Sequence, residues 1–127
     1  MTATREILAV PPRQALPFSA LVGFDRLLFV SGTIGRDPAT GDIAAGDMSA
    51  QTRQALASIA NHLSRAGATL DNALKVTVFL TDMGRFKEMN HAYLEFFQAG
   101  LPARSCVGVS ALPDPEALVE IEVIAHR

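Results

Sequence analysis

The chain has 127 residues, of which 49% are hydrophobic and 19% charged, and its formal net charge is −2. This length suits one core, so we take residues 1–127 as a single domain. The charge balance disfavours the basic surface of a nucleic-acid-binding protein. No apolar run reaches the roughly 20 residues of a membrane span, and the N-terminal residues lack the apolar core of a signal peptide. We therefore expect a soluble, cytoplasmic protein with neither a nucleic-acid nor a membrane partner.

Three strands are predicted in the first third of the chain. Residues 5–8 form a short first strand. Residues 18–22 and 27–31, which are separated by a break at Asp25 and Arg26, form a hairpin around Gly23. Residues 33–48 are rich in Gly, Pro and Asp, which is typical of turns. Four glycines at residues 32–46 match no phosphate-binding fingerprint. We interpret them as turn residues: Gly32, Gly35, Gly41 and Gly46.

Two helices are predicted from apolar residues that recur at helical spacing. The first has a stripe formed by Leu56, Ile59, Ala60 and Leu63. Asp47 or Ser49 is suited to cap its start, and Gly67 is suited to its end. Asp82 is suited to cap the second helix. The apolar face of that helix is formed by Phe86, Met89, Tyr93, Phe96 and Phe97.

The remaining strands are predicted at residues 73–80, 104–109 and 118–126, which are rich in β-branched and apolar residues. The order β-β-β-α-β-α-β-β favours an α+β protein in which one mixed sheet carries both helices on one face. The opposite face would then lack a cover. We expect that face to include Val76, Val78, Val107 or Val123. Association between the sheets of neighbouring subunits is the simplest way to cover it.

Arg104 is the first candidate for a functional side chain. It begins an apolar and small-residue run, and a buried arginine is costly unless an anion satisfies it. In the last strand, alternation places Glu120 and Glu122 together on one face. These acids are either solvated or, if their strand neighbours that of Arg104, frame a small polar pocket with it. Arginine would bind a carboxylate there, and a glutamate would hold water or exchange a proton.

Metal and nucleophile chemistry find little support in the sequence. The three histidines, His62, His91 and His126, lack the spacing of metal ligands, so we predict no metal site. The nucleophile elbow of serine hydrolases is missing. Cys106 lies within a strand without a histidine base nearby in sequence. It is therefore either a small buried thiol or part of a pocket wall.

Six segments, in order along nearly the whole chain, resemble the reactive intermediate deaminase family, known as RidA, YjgF or endoribonuclease L-PSP. They are VSGTIGRDPATGDI at 30–43, QTRQAL at 51–56, LDNALKVTVFLTDM at 70–83, FKEMNHAYLEFF at 86–97, LPARSCV at 101–107 and LVEIEVIA at 118–125. The resemblance implies a chorismate-mutase-like two-layer α+β fold of the bacillary type. It also implies a homotrimer with pockets between subunits, and no cofactor.

The activity that this resemblance implies is hydrolysis of a reactive 2-imino acid, such as 2-iminobutanoate or 2-iminopropanoate, or of its enamine tautomer. The products would be a 2-keto acid and ammonia. By the same resemblance, Arg104 clamps the substrate carboxylate and Glu120 positions the attacking water. Pocket residues of the family, which act partly through backbone groups, are similar to Ser31, Gly32 and Cys106.

The segment LPFSAL at residues 16–21 departs from the family pattern. Family members commonly carry a tyrosine where this chain has Phe18, so a hydroxyl group of the substrate pocket is missing. A lost hydrogen bond costs about 0.5–1.5 kcal/mol, which is enough to slow catalysis several-fold or to change the preferred substrate. Phe18 would also favour more apolar substrate side chains.

Two other functions are open at this point. The same pocket would suit a module that binds or senses a 2-keto acid, or another small carboxylate, without turnover, and Arg104 would serve both purposes. RNA cleavage is suggested by one of the family's names. The chain offers it neither a basic run nor aromatic residues interleaved with Lys or Arg.

Overall fold

A computed structural model describes residues 3–11, 16–97 and 100–127. Its six-stranded sheet has the spatial order β1-β2-β3-β6-β4-β5. The strands are β1 (Arg5–Ala9), β2 (Leu21–Phe24), β3 (Leu27–Ile34), β4 (Ala73–Leu80), β5 (Ala103–Gly108) and β6 (Val119–His126). Strand β5 pairs in parallel with β4, whereas the other neighbouring strands pair antiparallel. The sheet is therefore mixed, as the order of elements predicted.

Two α-helices, α1 (Met48–Ser64) and α2 (Phe86–Leu94), follow the first three strands. Asp47 caps α1, because its carboxylate accepts hydrogen bonds from the backbone N–H groups of Ser49 and Ala50. Gly67, just beyond α1, has a φ of 71°, which glycine adopts without steric cost. In the described part of the chain, no helix is long and apolar enough to cross a membrane.

A short 3-10 helix, Met83–Arg85, precedes α2 and receives the cap predicted for α2 itself. Asp82 accepts a hydrogen bond from the backbone N–H of Gly84 in this turn. The chain then continues directly into α2 at Phe86. The predicted capping residue thus starts the helical segment one turn before the α-helix.

Both helices cover the same face of the sheet, and the core lies between the two layers. The stripe of α1 is buried at Leu56, Ile59 and Leu63, and α2 contributes Met89 and Tyr93. Each buried side chain of this size contributes about 1.5–3 kcal/mol relative to an exposed one. The predicted two-layer α+β arrangement is therefore confirmed.

Three valines that we expected on the uncovered face of the sheet lie on the face that the helices cover. Val76, Val78 and Val123 are essentially fully buried under the helices, whereas we expected them on the uncovered face. Val107 does lie on the uncovered side and is 42% exposed. The periodicity of a strand separates its two faces, but it does not identify which face the helices cover when both are apolar.

The face of the sheet that carries no helix, here called the open face, exposes a set of large apolar side chains. They are between 37% and 51% exposed and comprise Ile7, Phe24, Leu27, Phe29, Val107 and Ile124. Polar side chains lie among them, including Lys75, Thr77 and Glu122. Large apolar side chains that are exposed together on one face are typical of an interaction surface.

The hairpin between β2 and β3 turns at Asp25 and Arg26, where the sequence predicted the break between the two strands. Asp25 has a φ of 54°, a conformation that its short polar side chain tolerates. Gly23 lies inside β2, where a Cβ atom would come within 2.9 Å of Leu8 Cδ1. Close packing of β1, rather than a turn, therefore explains this glycine.

Candidate functional site

A groove of about 280 Å³ lies between α2 and β5. We call it the Arg104 groove. It is lined by Asn90, Tyr93, Leu94, Leu101, Pro102 and Arg104. Its walls combine apolar side chains with one cation and one amide, which is the usual composition of a site for a small polar ligand.

The guanidinium group of Arg104 rests on aromatic rings. Its central carbon lies 4.7 Å from the ring centroid of Tyr93 and 5.8 Å from that of Phe86. Among the described residues, its side chain has neither an ion pair nor a hydrogen bond. Arg104 is half-buried, and its N–H groups have no acceptor within the part of the protein that the structure describes.

The acidic side chains of α2 and its C-terminal end are engaged by other arginines. Glu88 accepts two hydrogen bonds from Arg85 at 3.1 Å, and Glu95 pairs with Arg53 at 2.9 Å. The positive charge in the Arg104 groove is therefore not neutralised by these carboxylates. The arrangement suits a ligand anion, which is the kind of partner that the sequence predicted for this arginine.

Glu120 lies on the open face of β6, and it is half-buried. Burial raises the pKa of its carboxyl group, and repulsion from Glu122 raises that pKa further. A carboxylate with a raised pKa is better suited to exchange protons near neutral pH than an ordinary glutamate is. The electrostatics thus agree with the role that was predicted for Glu120.

Gly32 lies directly against the Glu120 side chain. A Cβ atom on Gly32 would lie 2.9 Å from Cδ of Glu120, so a side chain at residue 32 would displace the carboxyl group from its present position. The register of β3 and β6 shifts between Val30 and Thr33, as in a β-bulge. The bulge accommodates Ser31 and Gly32 beside the acid. Gly32 is therefore a strand residue that makes space for Glu120, and not a turn residue.

The segment around Phe18 packs against the same bulge. The Ser31 hydroxyl donates a hydrogen bond to the carbonyl oxygen of Ser19, and the Ser31 backbone N–H donates to Ala20. Phe18 is 48% exposed next to these contacts. The fold thus places four of the predicted site residues in one region around the bulge in β3: Phe18, Ser31, Gly32 and Glu120.

A second groove, of about 300 Å³, lies on the open face. It is lined by Val22, Phe29, Val30, Ser31, Lys75, Thr77, Glu122, Val123 and Ile124. The Lys75 ammonium group donates a hydrogen bond to the Ser105 hydroxyl at 3.2 Å. Ser31 is thus the predicted site residue that lines this groove, next to the bulge that holds Gly32.

Cys106 lies on β5 two residues after Arg104 and on the same side of the strand. It is half-buried and packs against the core. Burial raises the pKa of its thiol, and the nearby Arg104 charge only partly offsets that effect. A thiol of this kind is a weak nucleophile, so Cys106 is suited to a wall and not to covalent chemistry.

The strands of Arg104 and Glu120 are not adjacent, so these two side chains do not frame a pocket within one chain. Strand β4 lies between β5 and β6. Arg104 pairs with the buried Val76, whereas Glu120 pairs with Phe79 on the open face. The two side chains therefore lie on opposite faces of the sheet, and a single protomer cannot present both to one substrate.

Metal ligation finds no support in the described part of the chain. No three His, Cys, Asp or Glu side chains come together there in a way that could hold an ion. His62 and His126 lie on separate elements, α1 and β6.

The family model described as Endoribonuclease L-PSP matches residues 9–127. The chain belongs to the endoribonuclease L-PSP family. The predicted resemblance to RidA and YjgF proteins is thereby confirmed. A RutC family protein of Pyrococcus horikoshii is 44% identical over 116 residues, which are 91% of each chain. A 2-iminobutanoate/2-iminopropanoate deaminase of Bos taurus is 39% identical over 117 residues, which cover 92% of this chain and 85% of the relative.

Solved structures of this endoribonuclease L-PSP family share the fold. A conserved Rid family protein of unknown function from Yersinia pestis superposes with a TM-score of 0.91 at 39% identity, covering 98% of this chain and all of that one. TdcF of E. coli, solved with bound serine, has a TM-score of 0.85 at 34% identity and covers 100% and 98% of the two chains. The fold of this protein is therefore the one found in solved structures of its family.

The aromatic support beneath Arg104 was missed by the sequence reasoning. Tyr93 and Phe86 were assigned only to the apolar face of α2, and Asn90 was not singled out for the groove. Their spacing predicted the helix face correctly. Which strand that face meets depends on the parallel pairing of β4 with β5, and no local pattern in the sequence specifies that pairing.

Proposed function

We propose that this protein hydrolyses reactive 2-imino acids to 2-keto acids and ammonia. The observation that carries this proposal is the arginine in the groove, whose charge has no protein anion among the described residues. A 2-imino acid supplies the missing carboxylate. Two relatives support the choice of substrate: the bovine protein is named for this deaminase activity, and TdcF was solved with serine, an amino acid with the same carboxylate.

The proposed active site forms between two copies of the chain. Because Arg104 and Glu120 lie on opposite faces of one sheet, one copy would bind the substrate carboxylate and a neighbouring copy would supply the glutamate. The exposed apolar side chains of the open face favour such an assembly. We propose a homotrimer with three equivalent pockets, since a closed ring repeats one head-to-tail contact and leaves no face unpaired.

The proposed mechanism needs only orientation and proton transfer. Arg104 holds the carboxylate in a two-point contact, which fixes the imine carbon relative to a water molecule. Glu120 accepts a proton from that water as its oxygen bonds to the imine carbon, and it then passes this proton to the nitrogen, which gives a carbinolamine. The hydroxyl proton of the carbinolamine is next transferred through Glu120 to the nitrogen as the C–N bond breaks, so that ammonia leaves and the 2-keto acid remains. The raised pKa of Glu120 suits it to both proton transfers.

Ammonia release from 2-imino acids generated in situ by an amino-acid oxidase tests this proposal. We expect the native protein to accelerate release, and we expect Arg104→Ala to lose both binding and orientation, with a fall in kcat/KM of about a hundredfold or more. Arg53→Ala is the matched control, because it removes an exposed arginine that pairs with Glu95 on the surface. Equal rates for Arg104→Ala and the native protein would overturn the proposal.

A binding or sensing module for 2-keto acids is the second candidate function. The same uncompensated guanidinium favours it, since a 2-keto acid carries the same carboxylate. Titration with 2-oxobutanoate separates the two functions. Saturable binding that Arg104→Ala abolishes, without any acceleration of ammonia release, would favour the module over the enzyme.

A further inference from the structure

We infer that Tyr93 is a positioning residue for Arg104, and that it holds the guanidinium in the orientation that binds the substrate carboxylate. This inference rests on the proposed function, because it assigns a role within the same site. Tyr93 lies on α2, outside the strands that carry the other candidate residues. Its ring forms the surface on which the arginine rests.

The Tyr93 ring is itself held firmly. The side chain is only 4% exposed, and its ring stacks on that of Phe97 with centroids 4.5 Å apart and planes inclined by 29°. Met89, one turn earlier on the same helix, is fully buried. Arg104 therefore rests on the ring of Tyr93, which in turn stacks on Phe97, and both aromatic residues belong to the core.

Stacking orients the guanidinium without using its hydrogen-bond donors. A cation over a ring face is attracted by the electron density of the ring, whereas an ion pair would occupy the N–H groups. The N–H edge of Arg104 consequently stays free for a planar, two-point contact with a carboxylate. An acidic side chain in place of Tyr93 would hold the arginine equally well, but it would compete with the ligand.

The hydroxyl group of Tyr93 is not part of this role. It is buried, and no hydrogen-bond partner for it is found among the described residues. Burial raises the pKa of this phenol, and the Arg104 charge partly offsets the effect. The face of the ring, and not its oxygen, therefore accounts for the contact with Arg104, and phenylalanine should replace tyrosine with little loss.

Three substitutions at this position test the inference. Tyr93→Phe retains the ring face, Tyr93→Leu removes it, and Tyr93→Met fills the space with a flexible apolar chain. We expect Tyr93→Leu and Tyr93→Met to raise KM for the imino acid and the Kd for 2-oxobutanoate by about five- to thirtyfold, the range that corresponds to a cation–π contact. Tyr93→Phe should stay within about threefold of the native protein.

The Nε–H signal of Arg104 in NMR spectra provides a readout that does not depend on turnover. In the native protein and in Tyr93→Phe, we expect this proton to be shifted upfield by the ring and to be well ordered. Both properties should be lost in Tyr93→Leu. If Tyr93→Leu keeps the shift, the order and the native Kd, the inference is overturned, even if that variant is less stable.

The outcomes also separate this inference from the proposed function. If the native protein binds 2-oxobutanoate but releases no ammonia, the deaminase proposal fails, and the Kd series still decides the role of Tyr93. If Tyr93→Phe loses as much affinity as Tyr93→Leu does, the hydroxyl group and not the ring face supports Arg104, and the inference is wrong. If the native protein releases ammonia but binds no 2-oxobutanoate, the deaminase proposal stands, and the KM series and the Nε–H signal decide the role of Tyr93.

Discussion

At the scale of single residues, Glu120 combines two properties that oppose each other. Its half-buried position next to Gly32 places a carboxyl group where a proton acceptor is proposed. The same position raises the pKa of that carboxyl group above the ordinary value of 4.5. A charged glutamate there must destabilise the folded state relative to a solvated one, because a raised pKa means that the folded chain binds the proton more tightly.

Glu120→Gln should therefore raise stability while it lowers activity. Since the folded pKa is raised, the native protein is relatively more stable below pH 4.5 and loses that contribution as the pH rises through the folded pKa. We expect a higher Tm for the variant than for the native protein at neutral pH, and a difference that shrinks toward pH 4.5. Thermal melts across this range check it.

Glu116→Gln is the matched control for that experiment, because Glu116 is an exposed acid in the loop before β6. Its Tm should follow that of the native protein at each pH. A Glu120→Gln variant that is no more stable than the native protein at neutral pH would contradict the burial argument. Loss of ammonia release in Glu120→Gln would still support the proposed proton transfer by Glu120.

Phe18 stands where the family resemblance predicts a tyrosine, and its half-exposed ring lies next to the segment that bonds to Ser31. Phe18→Tyr restores a hydroxyl group, so we expect kcat/KM for imino acids to rise by up to about tenfold, or the preference among them to change. Steady-state rates with imines from several amino acids measure both effects.

Phe24→Tyr is the control for Phe18→Tyr, since it adds the same hydroxyl group to an exposed ring at the end of β2. It should leave the substrate profile as it is. The prediction fails if Phe18→Tyr changes neither the rate nor the order of substrates. Phe18 would then be a tolerated replacement and not a determinant of specificity.

At the scale of elements, Gln51 joins α1 to the loop that leads into β6. Its side chain is 4% exposed, donates a hydrogen bond to the carbonyl of Glu116 and accepts one from the N–H of Leu118. The start of β6, and with it Glu120, is thereby tied to the helix layer. Helix propensity alone gives no indication of this contact between α1 and the loop.

We expect Gln51→Leu to destabilise the protein by about 1–3 kcal/mol, because it removes two part-buried hydrogen bonds to the backbone of residues 116 and 118. Urea unfolding measures the change. Gln54→Leu is the matched control: its amide bonds only to Ser58, one turn further along the same helix, so it should cost much less. Equal effects of the two substitutions would refute this account of the loop.

Gly35, like Gly32, was predicted to be a turn residue, but its environment gives another reason for a glycine. A Cβ atom on Gly35 would lie 2.4 Å from the carbonyl oxygen of Gln51, so the backbone of α1 approaches too closely for any side chain. Gly41 and Gly46 do have the positive φ angles of turn residues. Composition identifies a glycine-rich segment. Only the packing of α1 shows which glycine is required by a close backbone approach and which by a positive φ angle.

At the scale of the whole molecule, the separation of Arg104 from Glu120 makes a specific prediction about assembly. Arg104→Ala and Glu120→Gln should each be inactive, yet the two variants unfolded, mixed in equal amounts and refolded together should regain activity. A pocket is intact when the copy that supplies Arg104 carries Glu120→Gln and the neighbour that supplies Glu120 carries Arg104→Ala. In randomly mixed cyclic trimers, this holds for about one quarter of the pockets. Ammonia release by the refolded mixture, relative to native protein treated identically, measures this fraction of intact pockets.

The control is a mixture of two variants that lack the same residue, Arg104→Ala with Arg104→Lys, which cannot complement if the two-point carboxylate contact requires arginine. A mixture of Arg104→Ala and Glu120→Gln that stays inactive would contradict a pocket shared between copies. A monomeric mass in solution would contradict it as well, since the open face would then have no partner.

The sequence by itself determined the elements and the chemical character of the site. The capping carboxylate of Asp47, the left-handed Gly67 and the apolar stripes are local signals, because they act within one or two helical turns. The unusual charge in an apolar strand singled out Arg104, and alternation placed Glu120 and Glu122 together. Each of these inferences needs only residues that are close in the chain.

The tertiary structure decided which faces and which strands meet. The order of the strands places β4 between the arginine and the acid, and parallel pairing with β4 turns Arg104 toward Tyr93. These relations join residues that are distant in sequence, and they depend on which face of each strand the helices bury. A pattern with a period of two residues distinguishes the faces of a strand but does not identify the buried one.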